Sequence, residues 1–489
     1  MVAAGTAAGV YQGVSAPPTC GATSAPFQLV WNQGECVGVT DATQYLFDAS
    51  DPGADPGIES VEREIAAENR TVENSGSYVT IALLDPFTEP PNGISDVSAA
   101  RIEDMLRGAY VAQEAFNAGA QGAGTAAAGG QAIQVRLVLA NEGSQGQGVQ
   151  DVTAQLERLT GYPGRLLAVT GMGISIQATV DAARALGIGG ANIPMFGAVT
   201  TADQLDNATN DDLVRVVPDV HDQLSQLVRF LRQPGGLLAP VAGGKPPRVL
   251  LVYDSQTLDL YTYSLRKDFQ ADFAGQLTPD EEKPYLSQRS PTGQLEMTGV
   301  FRNIADALCP STQATPPVVL YAGRESVLDD LISQLQGDDN CQGKRVTILT
   351  GSDANALPLS ATVSDAGGAN VSVDYSDIEP RTVTAAFARE YRNALDTTAG
   401  LTDPWMIATY NATVVAWNVI SQAAANLGNE PLSQLDALSV TGALDGFYNG
   451  YNFAGASGPF EIQAGGDLLD PGGIPLISLS GGGQAPLAK

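Results

Sequence analysis

Short apolar segments alternate with amphipathic segments along most of this chain, and the alternation occurs twice. In the first run the apolar segments are residues 78–87, 133–143, 165–173, 193–199 and 213–220. Segments with helical spacing follow them at 98–119, 149–161, 175–187 and 221–233. Continuously apolar strands alternating with helices are typical of a parallel sheet with helices on both faces. The pattern predicts an α/β fold.

A second run of the same kind follows a break in the pattern. Residues 234–247, PGGLLAPVAGGKPP, are rich in Gly and Pro, as is typical of a linker or a domain boundary. Strands are then predicted at 248–255, 317–323 and 345–353, with helices at 260–275 and 326–337. The sequence therefore predicts two α/β domains, each with its own sheet.

The two ends of the chain differ from these runs. Residues 1–76 are rich in turn formers, and we expect an ordered extension with a short hairpin or two and a helical segment at 58–70. Near the other end, residues 404–428 are apolar around most of a helix, so we expect that helix to be buried. Residues 455–481 are interpreted as closing antiparallel strands.

Composition excludes several classes of partner. The chain has 489 residues, enough for two or three domains, and a net charge of −29. That charge argues against binding nucleic acid or an anionic membrane surface. No run of about 18 apolar residues occurs, and the first residues lack the features of an intact signal peptide. We expect any export signal or membrane anchor to lie outside this sequence.

Four cysteines occur, in two local pairs. Of the three possible connectivities we favour Cys20–Cys36 and Cys309–Cys341. Widely spaced, even-numbered cysteines without metal-site spacing indicate an oxidising compartment. Buried free thiols are the alternative.

Metal and nucleotide cofactors are not predicted. The one histidine, His221, cannot form a metal cluster alone, and we expect it at a helix start or on the surface. The chain has no phosphate-binding P-loop motif. The dinucleotide fingerprint fails at the turn in LLAVTGMGIS, because Ile176 stands where the third glycine belongs. That turn is either an ordinary strand-to-helix turn or a cradle for a small ligand, built from Gly173, Ser175 and backbone N–H groups.

Three motifs carry a resemblance to a known family. They are FGAVTTADQL at 196–205, LTDPWMIATYNATVVAWNVI at 401–420 and GPFEIQAGGDL at 458–468. In this order they resemble the type I periplasmic solute-binding proteins, specifically the branched-chain amino acid group. The resemblance covers residues 77–485. The extension at 1–76 departs from the usual pattern and suggests an actinobacterial-style variant.

The resemblance implies two lobes joined by crossover strands, with a ligand in the cleft between them. The implied division is an extension at 1–76, a first lobe of 77–233 and 375–455, and a second lobe of 246–374 and 456–489. It also implies an extracellular, secreted or surface-anchored protein that hands a small polar, amino-acid-like ligand to an ABC importer. A ligand sensor fixed to a membrane protein, or a degenerate module of the same fold, is the alternative. We expect no enzyme, because no nucleophile elbow occurs.

Ligands of open parallel sheets bind beyond the carboxyl ends of the strands. In the first lobe this rule selects the loops Asp85–Thr88, Thr170–Ser175 and Val199–Thr201. In the second lobe it selects Asp254–Tyr261, Gly323–Glu325 and Gly351–Asn355.

The family assigns roles to residues of these loops. Ser175, Thr200 and Thr201 match its carboxylate and ammonium contacts, Tyr261 its aromatic lid, and Asp353 the acid that pairs with the α-ammonium of the ligand.

Each assignment has a structural alternative. The hydroxyl residues and Asp353 could be helix caps, and Tyr261 could belong to the core. Arg324 could form a salt bridge or contact an acidic group of the ligand. Asp85, which precedes a proline, could simply start a turn.

Overall fold

The structure of the chain is a computed structural model. It describes residues 20–21, 23–47, 56–88, 97–119, 127–128, 131–161, 163–206, 213–240, 246–287, 291–310, 317–357, 370–448, 450–469, 473–481 and 483–487.

Strands form two large sheets and two small ones in the described residues. In chain order the strands are β1 (Gln28–Asn32), β2 (Glu35–Thr40), β3 (Tyr78–Asp85), β4 (Ala127–Ala128), β5 (Gln131–Ala132), β6 (Gln134–Asn141), β7 (Leu166–Gly171), β8 (Met195–Gly197), β9 (Leu213–Arg215), β10 (Val249–Asp254), β11 (Glu282–Tyr285), β12 (Val318–Ala322), β13 (Arg345–Thr350), β14 (Asn370–Ser376), β15 (Phe453–Ala454), β16 (Pro459–Ile462), β17 (Leu468–Leu469), β18 (Leu476–Ser480) and β19 (Gly483–Pro486).

Helices cover the sheets. They are α1 (Pro56–Ser75), α2 (Ala99–Asn117), α3 (Val149–Leu159), α4 (Gln177–Leu186), α5 (Val220–Leu231), α6 (Leu260–Asp272), α7 (Pro291–Leu308), α8 (Glu325–Gly337), α9 (Ala385–Leu395), α10 (Pro404–Asn426) and α11 (Ala437–Leu444).

The first sheet has the order β1-β2-β6-β3-β7-β8-β9. Its strands from β6 to β9 are parallel, and the β1–β2 hairpin continues the sheet in antiparallel fashion. The second sheet has the order β11-β10-β12-β13-β14-β18-β19, parallel from β11 to β14 and antiparallel at β18 and β19. The predicted α/β class with two parallel-dominated sheets is confirmed.

Helix α10 is the central helix of the first core. Eighteen of its 23 residues are buried, as its apolar sequence predicts. It packs closely on α2 at Gly108, where a Cβ atom would lie 2.4 Å from the carbonyl oxygen of Met406. Any larger residue at that position would push the two helices apart.

At three places the packing differs from the predicted division of the chain into an extension and two lobes. The β1–β2 hairpin, placed in an extension, is part of the first sheet. Helix α5, placed in the first lobe, packs its leucines against β10 of the second sheet. Phe460 and Ile462, placed in the second lobe, lie in the first core. These contacts favour a first crossover between Arg215 and Val220.

Two disulfides hold loop segments to their neighbours. Cys20 bonds to Cys36 and Cys309 bonds to Cys341, with Cα–Cα distances of 5.6 and 5.0 Å. The predicted pairing is confirmed, and the alternative of free thiols is wrong. Within the described part of the chain, no helix is both long and apolar enough to cross a bilayer.

Candidate functional site

The carboxyl edges of the two sheets meet in direct contact. The carbonyl oxygen of Ser175, which follows β7, accepts hydrogen bonds from the N–H groups of Leu260 (3.0 Å) and Tyr261 (3.1 Å) at the start of α6. The N–H group of Gln177 donates to the carbonyl oxygen of Leu258 over 2.9 Å. One turn of the first lobe therefore closes the first turn of a helix in the second lobe.

The turn after β7 has an unusual backbone. Gly171, Met172 and Gly173 lie in succession at φ values of 86°, 64° and 59°. A Cβ atom on Gly171 would lie 2.3 Å from Oδ2 of Asp85, and one on Gly173 would lie 2.2 Å from Oε1 of Glu142. The glycines therefore serve both the left-handed backbone and the close approach of two carboxyl groups.

Ser175 organises the loop after β8. Its buried Oγ accepts hydrogen bonds from the N–H groups of Thr201 (2.9 Å) and Ala202 (3.1 Å). Ser175 is not the cap of α4, which begins two residues later and has Ile176 at its N-cap position. Thr200 is buried nearby, and its Oγ1 has no hydrogen-bond partner among the residues that the structure describes.

Arg324 lies at the centre of the second lobe's edge and is almost fully buried. Its guanidinium donates to both carboxylate oxygens of Asp259, over 2.7 and 3.0 Å, in a bidentate pair. It also lies 3.9 Å from Oδ1 of Asp353 and 4.8 Å from the centre of the Tyr261 ring. The salt bridge, one of the two alternatives for Arg324, is therefore present, and contact with a ligand stays a prediction.

Asp353 and Tyr261 are joined to the same group. The Oδ2 atom of Asp353 accepts a hydrogen bond from the N–H group of Glu325 over 2.8 Å, at the start of α8. The N–H group of Asp353 donates to the Tyr261 hydroxyl over 3.0 Å. Burial and, as the second cause, the negative charge of Asp353 raise the pKa of Glu325 to about 7. Asp353 thus caps a helix, and Tyr261 is a buried core residue.

A second polar cluster also joins the lobes, and the sequence did not single it out. Arg101 on α2 pairs with Asp403, and it donates to Oδ1 of Asn355 over 2.8 Å. The Nδ2 atom of Asn355 in turn donates to Asp377 over 2.7 Å. Two signals for it were present: Asn355 ends one of the selected loops, and Asp403 before Pro404 marks a helix start and caps α10.

Glu142 and Thr170 were also missed as single residues. Glu142 follows the last residue of β6 and is fully buried. Thr170 lies in β7, and its buried Oγ1 atom has no hydrogen-bond partner in the part of the chain that the structure describes. Their position at strand ends was the available signal.

The described residues give little support for a catalytic histidine or a metal site. His221 lies at the start of α5, as expected, and its imidazole Nδ1 is 3.3 Å from Oδ2 of Asp268. Within that part of the chain, no group of three or more histidine, cysteine or acidic side chains is placed to hold a metal ion.

Comparison by sequence finds no matching family model and no similar curated protein. Comparison of folds does find relatives. The extracellular ligand-binding receptor of Verminephrobacter eiseniae matches with a TM-score of 0.54 at 14% identity, covering 83% of this chain and 99% of its own.

Two further solved structures match equally well. One is the ABC transporter substrate-binding protein of Aeropyrum pernix, with a TM-score of 0.54 at 12% identity over 84% of this chain and 95% of its own. The other is an extracellular ligand-binding receptor of Rhodopseudomonas palustris, with the same score and identity over 84% of this chain and 99% of its own. The chain therefore has the two-lobed α/β fold of the periplasmic binding proteins.

Proposed function

We propose that this chain is an extracellular solute-binding protein that captures a small, amino-acid-like ligand between its lobes and delivers it to an ABC importer. One observation carries the proposal. Ser175, Thr201, Tyr261, Asp353 and Arg324 come from distant parts of the sequence, yet one continuous series of contacts joins them across the two sheet edges.

The remaining predicted residues border the same series. Asp85 and Gly173 flank the turn that carries Ser175, and Thr200 precedes Thr201. Loops at the carboxyl edge of a parallel sheet are the usual place for a ligand. These positions support a site at the interface of the lobes. Branched-chain specificity and an actinobacterial-style variant stay predictions of the motif resemblance.

Location and partners follow from the same proposal. Two disulfides support an oxidising, extracellular compartment. We propose that the protein is either secreted or anchored at the cell surface, and that it works with an ABC permease. We propose no catalysis, because the Ser175 hydroxyl already accepts hydrogen bonds from two backbone N–H groups and the one histidine, His221, lies at the start of α5 against Asp268.

A second candidate is a sensing or degenerate module of the same fold. The observation that favours it is the set of backbone hydrogen bonds that join Ser175 and Gln177 directly to the start of α6. Such bonds would hold the lobes closed without a ligand. A module of this kind would change its shape little on binding.

Thermal unfolding against a panel of amino acids, small amines, peptides and sugars tests solute binding. We expect at least one member to stabilise the protein by about 2.7 kcal/mol at a concentration 100 times its Kd, because a ligand that binds only the folded state shifts the equilibrium by that amount. No shift with any member would favour the degenerate module instead.

A further inference from the structure

Among the described residues, five oxygen atoms on four buried side chains at the edge of the first sheet have no hydrogen-bond partner. They are both carboxylate oxygens of Asp85, Oε2 of Glu142, and Oγ1 of Thr170 and of Thr200. Each of these residues is at most 1% exposed. Buried polar atoms are nearly always paired, so four such side chains in one region need an explanation.

The four side chains come from neighbouring strands. The order β6-β3-β7-β8 places the end of β3 between β6 and β7. Asp85 pairs in register with Asn141, the residue before Glu142, and Leu83 pairs with Thr170. Thr200 lies so close to β8 that a Cβ atom on Gly197 would lie 2.0 Å from its Oγ1. All four therefore lie at the edge that bears the candidate site.

This part of the sheet edge has more hydrogen-bond acceptors than donors to pair with them. No ion pair involves Asp85 or Glu142 among the described residues. Burial and, second, the charge of Glu142 raise the pKa of Asp85 well above its usual value. The nearby N–H group of Gly173, which donates to the carbonyl oxygen of Leu84 over 2.8 Å, lowers that pKa by less. Burial raises the pKa of Glu142 to about 7. Buried carboxylates are stable when they are paired with a positive charge and hydrogen-bonded.

The other polar groups of the interface already have partners. The Ser175 hydroxyl binds two N–H groups, Arg324 is paired with Asp259, and Asp353 caps α8. What the interface leaves open is a set of acceptors, two of them acidic. A ligand that takes the place of the protons on these two acids must bring N–H donors and a positive charge, and an alkylammonium group carries three donors and no acceptor.

We propose that Asp85 and Glu142 bind the positively charged primary amine of the solute, with the hydroxyls of Thr170 and Thr200 as further acceptors. This inference rests on the proposed function and names its ligand class. It differs from the roles that the resemblance implies, in which Asp353 is the acid that pairs with the α-ammonium of the ligand. The glycines of the turn then serve to bring the two acids close together.

Calorimetric titration with matched pairs of compounds tests the proposal. Each pair exchanges an amine for a hydroxyl: 1,4-diaminobutane with 1,4-butanediol, and leucine with 2-hydroxy-4-methylpentanoate. We expect at least one amine to bind. Its hydroxyl partner should bind at least about 30-fold more weakly, because the buried acids then lose their positively charged partner. Asp85→Asn and Glu142→Gln should each weaken amine binding by a similar factor.

Asp181→Asn on α4 is the control, because that side chain is exposed and belongs to no part of the site. It should bind the amine as the unaltered protein does. Circular dichroism and thermal unfolding check that each variant is folded.

The outcomes separate the two claims. Hydroxyl compounds that bind as tightly as their amines would overturn the amine proposal and leave solute binding intact. Stabilisation by Ca²⁺ or Na⁺ but by no amine would overturn it too, because the missing cation would be a metal ion. An absence of binding by every compound in this set and in the wider panel would contradict the proposed function itself.

Discussion

Replacing Arg324 with methionine lowers the free energy of unfolding by about 3 to 5 kcal/mol. The guanidinium is the buried counter-charge of Asp259 and lies 3.9 Å from Asp353. Methionine fills much of the same volume but leaves two acidic side chains without a positive partner. Asp259 also caps α6 through the N–H group of Thr262, so the start of that helix loses its fixed geometry.

Urea unfolding of the purified protein measures this effect. The matched control is Arg184→Met, because Arg184 is exposed and its distance to Asp181 is 3.9 Å. Exposed pairs of that kind contribute about 0 to 1 kcal/mol. A loss below about 1 kcal/mol for Arg324→Met would show that the pair with Asp259 is open to solvent, contrary to this structure.

The double variant Asp85→Asn, Glu142→Gln is more stable than the unaltered protein at pH 8 when no ligand is bound. Burial raises the pKa of Glu142 from 4.5 to about 7. The folded state therefore holds this proton more tightly than the unfolded state does. The free energy of unfolding falls as the pH rises from about 4.5 to about 7, and it stays low above that range.

The size of this fall follows from the shift. The change from 4.5 to about 7 corresponds to about 3 kcal/mol for Glu142. Asp85, whose pKa burial and then Glu142 raise, adds to the fall in the same direction. Asparagine and glutamine carry no charge, so the double variant loses this dependence on pH.

Unfolding in urea at pH 4.5, 6, 7 and 8 measures the difference between the two proteins. The other acidic residues are common to both, so their effects cancel in the comparison. We expect the difference in free energy of unfolding between the two proteins to grow with pH. The part that comes from Glu142 should be nearly complete above about pH 7. Parallel profiles would mean that neither carboxyl group is buried in the folded state.

Local patterns predicted the secondary structure well. The apolar segments before residue 234 became β3, β6, β7, β8 and β9, and the apolar segment 404–428 became the buried helix α10. Each of these signals lies within one element. Strand β11, only four residues long and half polar, offered no such signal and was missed.

Contacts between distant segments could not be predicted in the same way. The helix after β9 has the same amphipathic sequence whichever sheet it covers, so the lobe of α5 was not determined. Arg324 and Asp259 are 65 positions apart. Asp353 was expected to cap the helix after it in the sequence, if it capped any, and it caps α8, which precedes it.

The candidate site shows the same division. The rule for parallel sheets located its loops, but it could not say which side chains would pair with one another. Ser175 and Asp353 have partners inside the protein, whereas both carboxylate oxygens of Asp85 and Oε2 of Glu142 have no hydrogen-bond partner among the described residues. Only the three-dimensional arrangement identifies which acceptors remain for a ligand.

Small-angle X-ray scattering of the protein with and without its most stabilising solute tests the central claim most directly. If the lobes close around a solute, the radius of gyration falls when that solute is added, because hinge closure brings the two sheets together. The same titration with Glu142→Gln should need a higher solute concentration to reach the same value. A solute that binds while the radius of gyration stays constant would contradict capture between the lobes.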